Sequence, residues 1–109
     1  MPRYKLTIEY DGTNFVGWQK QKKGFSIQGT IEKAAKKFLQ SEVDLIVAGR
    51  TDAGVHAEAQ VAHLDIFKKL QIKNILFGLN FYLSKEKFGE DISIKKVNKV
   101  DANFNARFG

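Results

Sequence analysis

The sequence predicts an α+β domain with elements in the order β-α-β-β-α-β, in which four strands form one antiparallel sheet and two helices pack on one of its faces. Three observations carry this expectation. Four segments show apolar residues at or near the two-residue period of half-buried strands, and two others show them at helical spacing. The 109 residues contain no internal repeat and no Pro-, Gly- or Ser-rich linker, so they have the length and organisation of one domain.

Tyr4, Leu6, Ile8 and Tyr10 alternate with Lys5, Thr7 and Glu9, which predicts a first strand ending at Asp11-Gly12. Ile27, Ile31, Ala34, Ala35, Phe38 and Leu39 recur at helical spacing behind Ser26, a residue suited to cap the first free N–H groups, so the first helix runs to about Gln40. Val43 to Ala48 is rich in β-formers and reads as the second strand. A third strand follows from Ala57 to Phe67, with Val61, His63 and Asp65 on one face and Ala62, Leu64 and Ile66 on the other. Ile72, Ile75, Leu76 and Leu79 mark the second helix, and Ile92, Ile94 and Val97 a fourth strand of less regular alternation. This order is that of a ferredoxin-like split βαβ unit, whose second sheet face is left open for a partner. Residues 1–98 are expected to form the domain. Residues 99–109 contain Phe104 and Phe108 without a period, and are expected to begin a connection to further polypeptide.

Composition narrows the function. There is no Cys, which excludes disulfides, thiolate metal sites and a Cys nucleophile and suits a reducing, cytoplasmic setting. No apolar run approaches the roughly 18 residues of a membrane span, so the chain reads as soluble. Eighteen Lys and Arg against twelve Asp and Glu give a net charge of +6, which favours an acidic partner such as nucleic acid. The charge is uneven: residues 1–40 and 68–109 carry +5 each and residues 41–67 carry −4.

The most unusual stretch is Gly49-Arg50-Thr51-Asp52-Ala53-Gly54-Val55-His56, which joins two strands and sets an Arg and an Asp two residues apart between glycines. One reading is a plain turn with a local ion pair. The other is a site in which the glycines admit a ligand to the backbone and Arg50 holds Asp52 ionised as a nucleophile or base. His56 and His63 lack a third ligand and a zinc pattern, so no metal site is expected. Asp52 and Asp65 form no glycosidase pair that sequence can support. Trp18 and Phe15 precede the basic Lys20-Gln21-Lys22-Lys23 cluster, in a loop that either stacks on bases or packs on its own domain.

Glu9-Tyr10-Asp11-Gly12-Thr13, Gly17-Trp18-Gln19, Ser26-Ile27-Gln28-Gly29, the run from Ala48 to Ala57, Gln60-Val61-Ala62-His63 and Phe104-Asn105-Ala106-Arg107-Phe108 together resemble the tRNA pseudouridine synthase A (TruA) family. The resemblance spans essentially the whole chain, and the Gly-Arg-Thr-Asp-Ala-Gly-Val-His run matches the family's active-site motif. It implies isomerisation of uridine to pseudouridine in the anticodon arm of tRNA, in the cytoplasm, by a homodimer using no metal or organic cofactor. By the same resemblance Asp52 is the catalytic residue that starts cleavage of the bond from ribose to N1, with Gly49, Thr51, Ala53, Gly54 and His56 as its loop. Arg50 matches the Arg that fills the space left by the flipped base. Arg107, with Phe104 and Phe108, matches an element that contacts RNA. Lys68 and Lys69 are further RNA candidates, their alternative being a solvated basic turn.

Two departures accompany the matches. Family members are about twice this length and place beyond the counterpart of Phe108 a Tyr that stacks on the target base, so the resemblance implies an N-terminal half with little or no turnover of its own. The family's Leu-Pro pair followed soon by Asp-Ile is replaced by Leu83-Ser84 and, after a charged insertion, Asp91-Ile92. Two readings from other classes are a non-catalytic tRNA-binding module of the same fold and a small phosphate-ester hydrolase. The latter's Gly-rich loop after the first strand is not matched by Asp11-Gly12-Thr13-Asn14.

Overall fold

The computed structural model describes residues 2–108; Met1 and Gly109, the outermost residues of the two expected segments, lie outside the described residues. The chain forms β1 (Arg3–Tyr10), α1 (Ile27–Leu39), β2 (Ile46–Val47), β3 (Ala57–Asp65), α2 (Ile72–Leu83), a 3₁₀ turn over Gly89–Asp91, and β4 (Ile92–Val100). The strands make one antiparallel sheet in the order β2-β3-β1-β4, as a ferredoxin-like arrangement requires. Leu6 and Ile8 of β1, Ala62 and Leu64 of β3, and Ile94 and Val97 of β4 share one buried core with Ile27, Ile31 and Ala35 of α1 and Ile75 and Leu79 of α2. Each fully buried Leu or Ile among them contributes roughly 1.5–3 kcal/mol.

The local signals explain most boundaries. Ser26 accepts the Gly29 N–H at 2.9 Å, opening α1, and Gln40 closes it at a left-handed φ of 58°. The uneven apolar spacing of β4 has a simple origin: its register against β1 shifts between the Thr7–Lys96 and Ile8–Ile94 pairs, leaving Lys95 as an extra residue. Ile92, Ile94 and Val97 therefore all reach the core despite their unequal spacing.

Four expectations are corrected. The second strand is two residues long rather than Val43–Ala48, because the Leu45 N–H is taken by the Glu32 carboxylate at 2.9 Å and its carbonyl by Gln28 Nε2 at 3.4 Å, tying this segment to α1 instead of the sheet. β3 stops at Asp65, and Phe67 is 71% exposed beyond it. Ile72 opens α2 on its solvent side, at 43% exposure, while Ile75, Leu79 and Leu83 face inward. Finally, the sheet face away from the helices is not wholly open. After β4, which runs through Val100, the tail folds into turns held by Asp101 and Asn105 side chains and lies over one corner of that face. There Arg3 Nη1 donates to the Phe104 carbonyl at 2.6 Å, the Ala106 N–H donates to His63 Nδ1 at 3.0 Å, and Ala106 is buried. No helix among the described residues is long and apolar enough to cross a membrane.

Candidate active site

The loop between β2 and β3 carries Arg50 and Asp52, and its backbone is pinned from two sides. The Ala48 N–H donates to the Val61 carbonyl at 2.9 Å, and Gln60 Nε2 donates to the Gly49 carbonyl at 2.6 Å, which extends the sheet's order into the loop. From the other side the Gly12–Trp18 segment grips residues 51–56. Tyr10 Oη and Thr51 Oγ1 are 2.7 Å apart, the Trp18 N–H donates to the Thr51 carbonyl at 3.0 Å, and the Gly54 N–H donates to the Phe15 carbonyl at 3.3 Å. The Gly12 N–H donates to His56 Nδ1 at 2.9 Å, and the Asp52 carbonyl accepts the Val55 N–H at 3.2 Å. Gly17 makes the grip possible: it sits at a φ of +106°, and a Cβ there would lie 2.6 Å from the Thr51 carbonyl oxygen.

On this frame Arg50 and Asp52 both point to solvent. The Asp52 carboxylate accepts no hydrogen bond and joins no ion pair among the described residues, so the expected Arg50–Asp52 pair is not formed. The reason is geometric, since the loop is shaped by its backbone contacts and leaves both side chains uncommitted. Asp52 borders an open hollow of about 430 Å³ with Val16, Gln19, Gln21, Arg50, Thr51 and Ala53. Arg50 and Gln19 also border a neighbouring hollow of about 530 Å³, where Arg107 and Lys20 join them. Arg50 thus stands on the rim between a carboxylate and a basic recess.

The other candidates fall in different places. Trp18 and Phe15 are 1% and 3% exposed, so the base-stacking alternative for this loop is overturned: both rings pack into the core, Trp18 against Tyr10 with centroids 6.1 Å apart. His56 closes the loop rather than facing a ligand through Nδ1, which lies 3.2 Å from an Asp11 carboxylate oxygen. Phe104 sets its ring edge-on to His63, with centroids 6.0 Å apart, whereas Phe108 is 81% exposed with the Arg107 guanidinium 5.6 Å from its ring centre. Lys68 and Lys69 lie exposed in the turn between β3 and α2 and border neither hollow. Among the described residues no group of three His, Asp or Glu side chains is placed to hold a metal ion.

Sequence reasoning missed the groups that shape the site from behind. Tyr10 and Gln60 hold the loop, yet each looks like an ordinary strand residue. Glu32 is a buried carboxylate that takes the Leu45 N–H and pairs with Lys20 Nζ at 2.9 Å, fixing one wall of the basic recess. Its signal was present: a Glu on the apolar face of a helix needs a partner.

A family model described as tRNA pseudouridine synthase matches residues 6–109. Among curated proteins, those called tRNA pseudouridine synthase A from Brucella ovis, Brucella canis and Brucella suis are each 52% identical over 108 residues. The match covers 99% of this chain and 42% of each relative, so the chain spans about two-fifths of the length of these proteins.

Proposed function

The chain belongs to the tRNA pseudouridine synthase family, and from that premise we propose that it carries the catalytic carboxylate of an enzyme converting uridine to pseudouridine in the anticodon arm of tRNA. One observation carries the proposal: Asp52 is exposed and uncommitted on a loop whose backbone is held from both sides. A group that must meet a ribose carbon needs both properties, a free carboxylate and a fixed position.

The reaction is an isomerisation and balances without an oxidant or a cofactor. The C1′–N1 bond breaks, the uracil turns, C5 bonds to C1′, the proton leaves C5, and N1 is protonated. Asp52 starts the first step either by attacking C1′, the ester then being displaced as C5 bonds there, or by removing the C2′ proton to give a glycal, the proton returning to C2′ as C5 adds. A stem base must leave its stack before C1′ is reachable, and Arg50, which borders the same hollow as Asp52, fills the vacated space. Arg107, in the adjoining recess, takes a backbone phosphate and fixes the register of the RNA. Phe104 and Phe108 belong to the same RNA-contacting element, with Lys68 and Lys69 as outlying contacts.

In this proposal the domain expected over residues 1–98, extended by β4 to Val100 and by the tail seated on its sheet, bears the carboxylate, and the further polypeptide of its longer relatives supplies a second half that completes the cleft. The share of the relatives' length that is matched, 42%, supports that division. The longer protein works as a cytoplasmic homodimer. The test is position-mapped pseudouridine formation in tRNA by this chain and by a protein extended to the length of its relatives. Activity confined to the extended protein, at anticodon-arm uridines, is the expected result; tRNA binding with no modification by either protein overturns the enzymatic reading in favour of a binding module.

A further inference from the structure

The sheet face opposite the helices holds a polar cluster that the proposed chemistry does not use. His63 of β3 is 4% exposed, and its Nδ1 accepts the Ala106 N–H at 3.0 Å while its ring meets the edge of Phe104. Beside it Arg3 of β1 forks onto Asp65 at 2.8 and 3.1 Å and donates from Nη1 to the Phe104 carbonyl at 2.6 Å. The next turn is fixed by the Asn105 side chain, which accepts the Arg107 N–H at 2.9 Å. These contacts seat the backbone of residues 104–107, and Arg107 at their end borders the recess that Arg50 and Lys20 also border. The Arg107 side chain makes no ion pair among the described residues, and two guanidinium groups facing one recess repel each other. Beyond the Phe108 ring 5.6 Å away, its place is set by the seated backbone.

We propose that His63 is a positioning residue for RNA binding: by accepting the Ala106 N–H at Nδ1 it holds Arg107 at the recess that Arg50 also borders, as a receiver of backbone phosphate, and protonation of that nitrogen unseats the tail. The proposal rests on the RNA reading of the recess given above. Its chemistry is simple, because a neutral imidazole with its proton on Nε2 has a lone pair for the N–H, whereas an imidazolium presents a second donor to it. The charged groups facing His63 are Arg3 and Lys5 from β1 and Asp65 from its own strand; the tail brings it the Ala106 N–H and the Phe104 ring, the β2 neighbour is Ile46, and both helices pack on the opposite face. Burial lowers the imidazole's pKa, Arg3 acts in the same direction and Asp65 opposes them, so the acceptor form persists at neutral pH.

The test pairs amide exchange with tRNA binding, both on the full chain. The Ala106 amide, followed by NMR hydrogen exchange, is expected to be protected near pH 7.5 and to lose about tenfold of that protection, beyond the intrinsic pH effect, near pH 5. His63→Leu should lose it at every pH, and His63→Gln, whose side-chain carbonyl still accepts, should restore it without the pH response. With an in vitro transcribed tRNA, His63→Leu should weaken binding about tenfold and lower the log–log salt slope by about one, as Arg107→Ala does, and the double variant should be no weaker than Arg107→Ala. Exchange that ignores both His63→Leu and acid overturns the seat. Additive losses in the double variant overturn action through Arg107. Exchange that responds as expected while Arg107→Ala leaves tRNA affinity unmoved overturns instead the RNA reading of the recess. The wild-type pH series needs no variant to fold.

Discussion

Gly17→Ala should loosen the loop that carries Asp52 while leaving every side chain of the site unchanged. Gly17 has a φ of +106°, and a Cβ there would stand 2.6 Å from the Thr51 carbonyl oxygen and 3.1 Å from the Asp52 carbonyl carbon. Two costs follow. Holding an L side chain at that φ costs about 1–3 kcal/mol. Relieving the overlap moves residues 15–18 away from residues 51–53 and breaks the 3.0 Å hydrogen bond from the Trp18 N–H to the Thr51 carbonyl, worth about 1 kcal/mol. The sum is about 2–4 kcal/mol. Gly54→Ala is the matched control, since Gly54 also has a positive φ, +77°, but a Cβ there would meet nothing within 4 Å. It should cost only the backbone strain, and so at least about 1 kcal/mol less than Gly17→Ala, which also loses the hydrogen bond. Urea unfolding followed by the fluorescence of Trp18, the single and deeply buried tryptophan, reads both values. Stabilities of the two variants within about 0.5 kcal/mol of each other would refute the claim that the Gly17 contact clamps the loop.

Two further outcomes are expected. Glu32→Ala leaves the buried Leu45 N–H without its 2.9 Å acceptor and should cost about 3 kcal/mol in urea unfolding, while a loss below about 1 kcal/mol would show that the segment holds without it. The hydrogen bonds from Arg3 hold the Asp65 carboxyl below its ordinary value of 3.8; because the folded value is the lower one, the unfolded chain binds more protons, and Asp65's contribution is complete above that ordinary value and lost as the pH falls through the folded one. Between about pH 5 and pH 2 the urea midpoint of Asp65→Asn should therefore fall less steeply than that of the unmodified chain, and parallel curves would contradict the pairing.

What could be read from the residues divides along a physical line. Tyr4 to Tyr10 and the helix after Ser26 were legible because their order is local: a period and a cap decide them. Val43 to Leu45 misled because β propensity was outweighed by one buried carboxylate on a helix distant in sequence. The tail was illegible for a related reason, as its order comes from Asx turns and from bonds to Arg3 and His63, which no period records. At the site, the position of Arg50 and Asp52 between two strands was plain in the glycine-bounded run. Their failure to pair was not, because it depends on Tyr10, Gln60 and the Gly17 approach holding the loop from outside. Trp18 likewise looked equally fit for stacking on RNA or on its own core, and only three-dimensional packing decides between them.

In the proposed function Asp52 does chemistry and holds nothing together. The decisive variant is Asp52→Asn in the protein extended to the length of its relatives, measured for pseudouridine formation in single-turnover tRNA reactions beside a urea melt and a tRNA binding curve. Because the Asp52 carboxylate has no hydrogen-bond or ion-pair partner among the described residues, the melt and the tRNA affinity should be unchanged, while the rate falls at least about 10³-fold. A rate within about tenfold of the unsubstituted protein, at equal stability and affinity, would contradict the assignment.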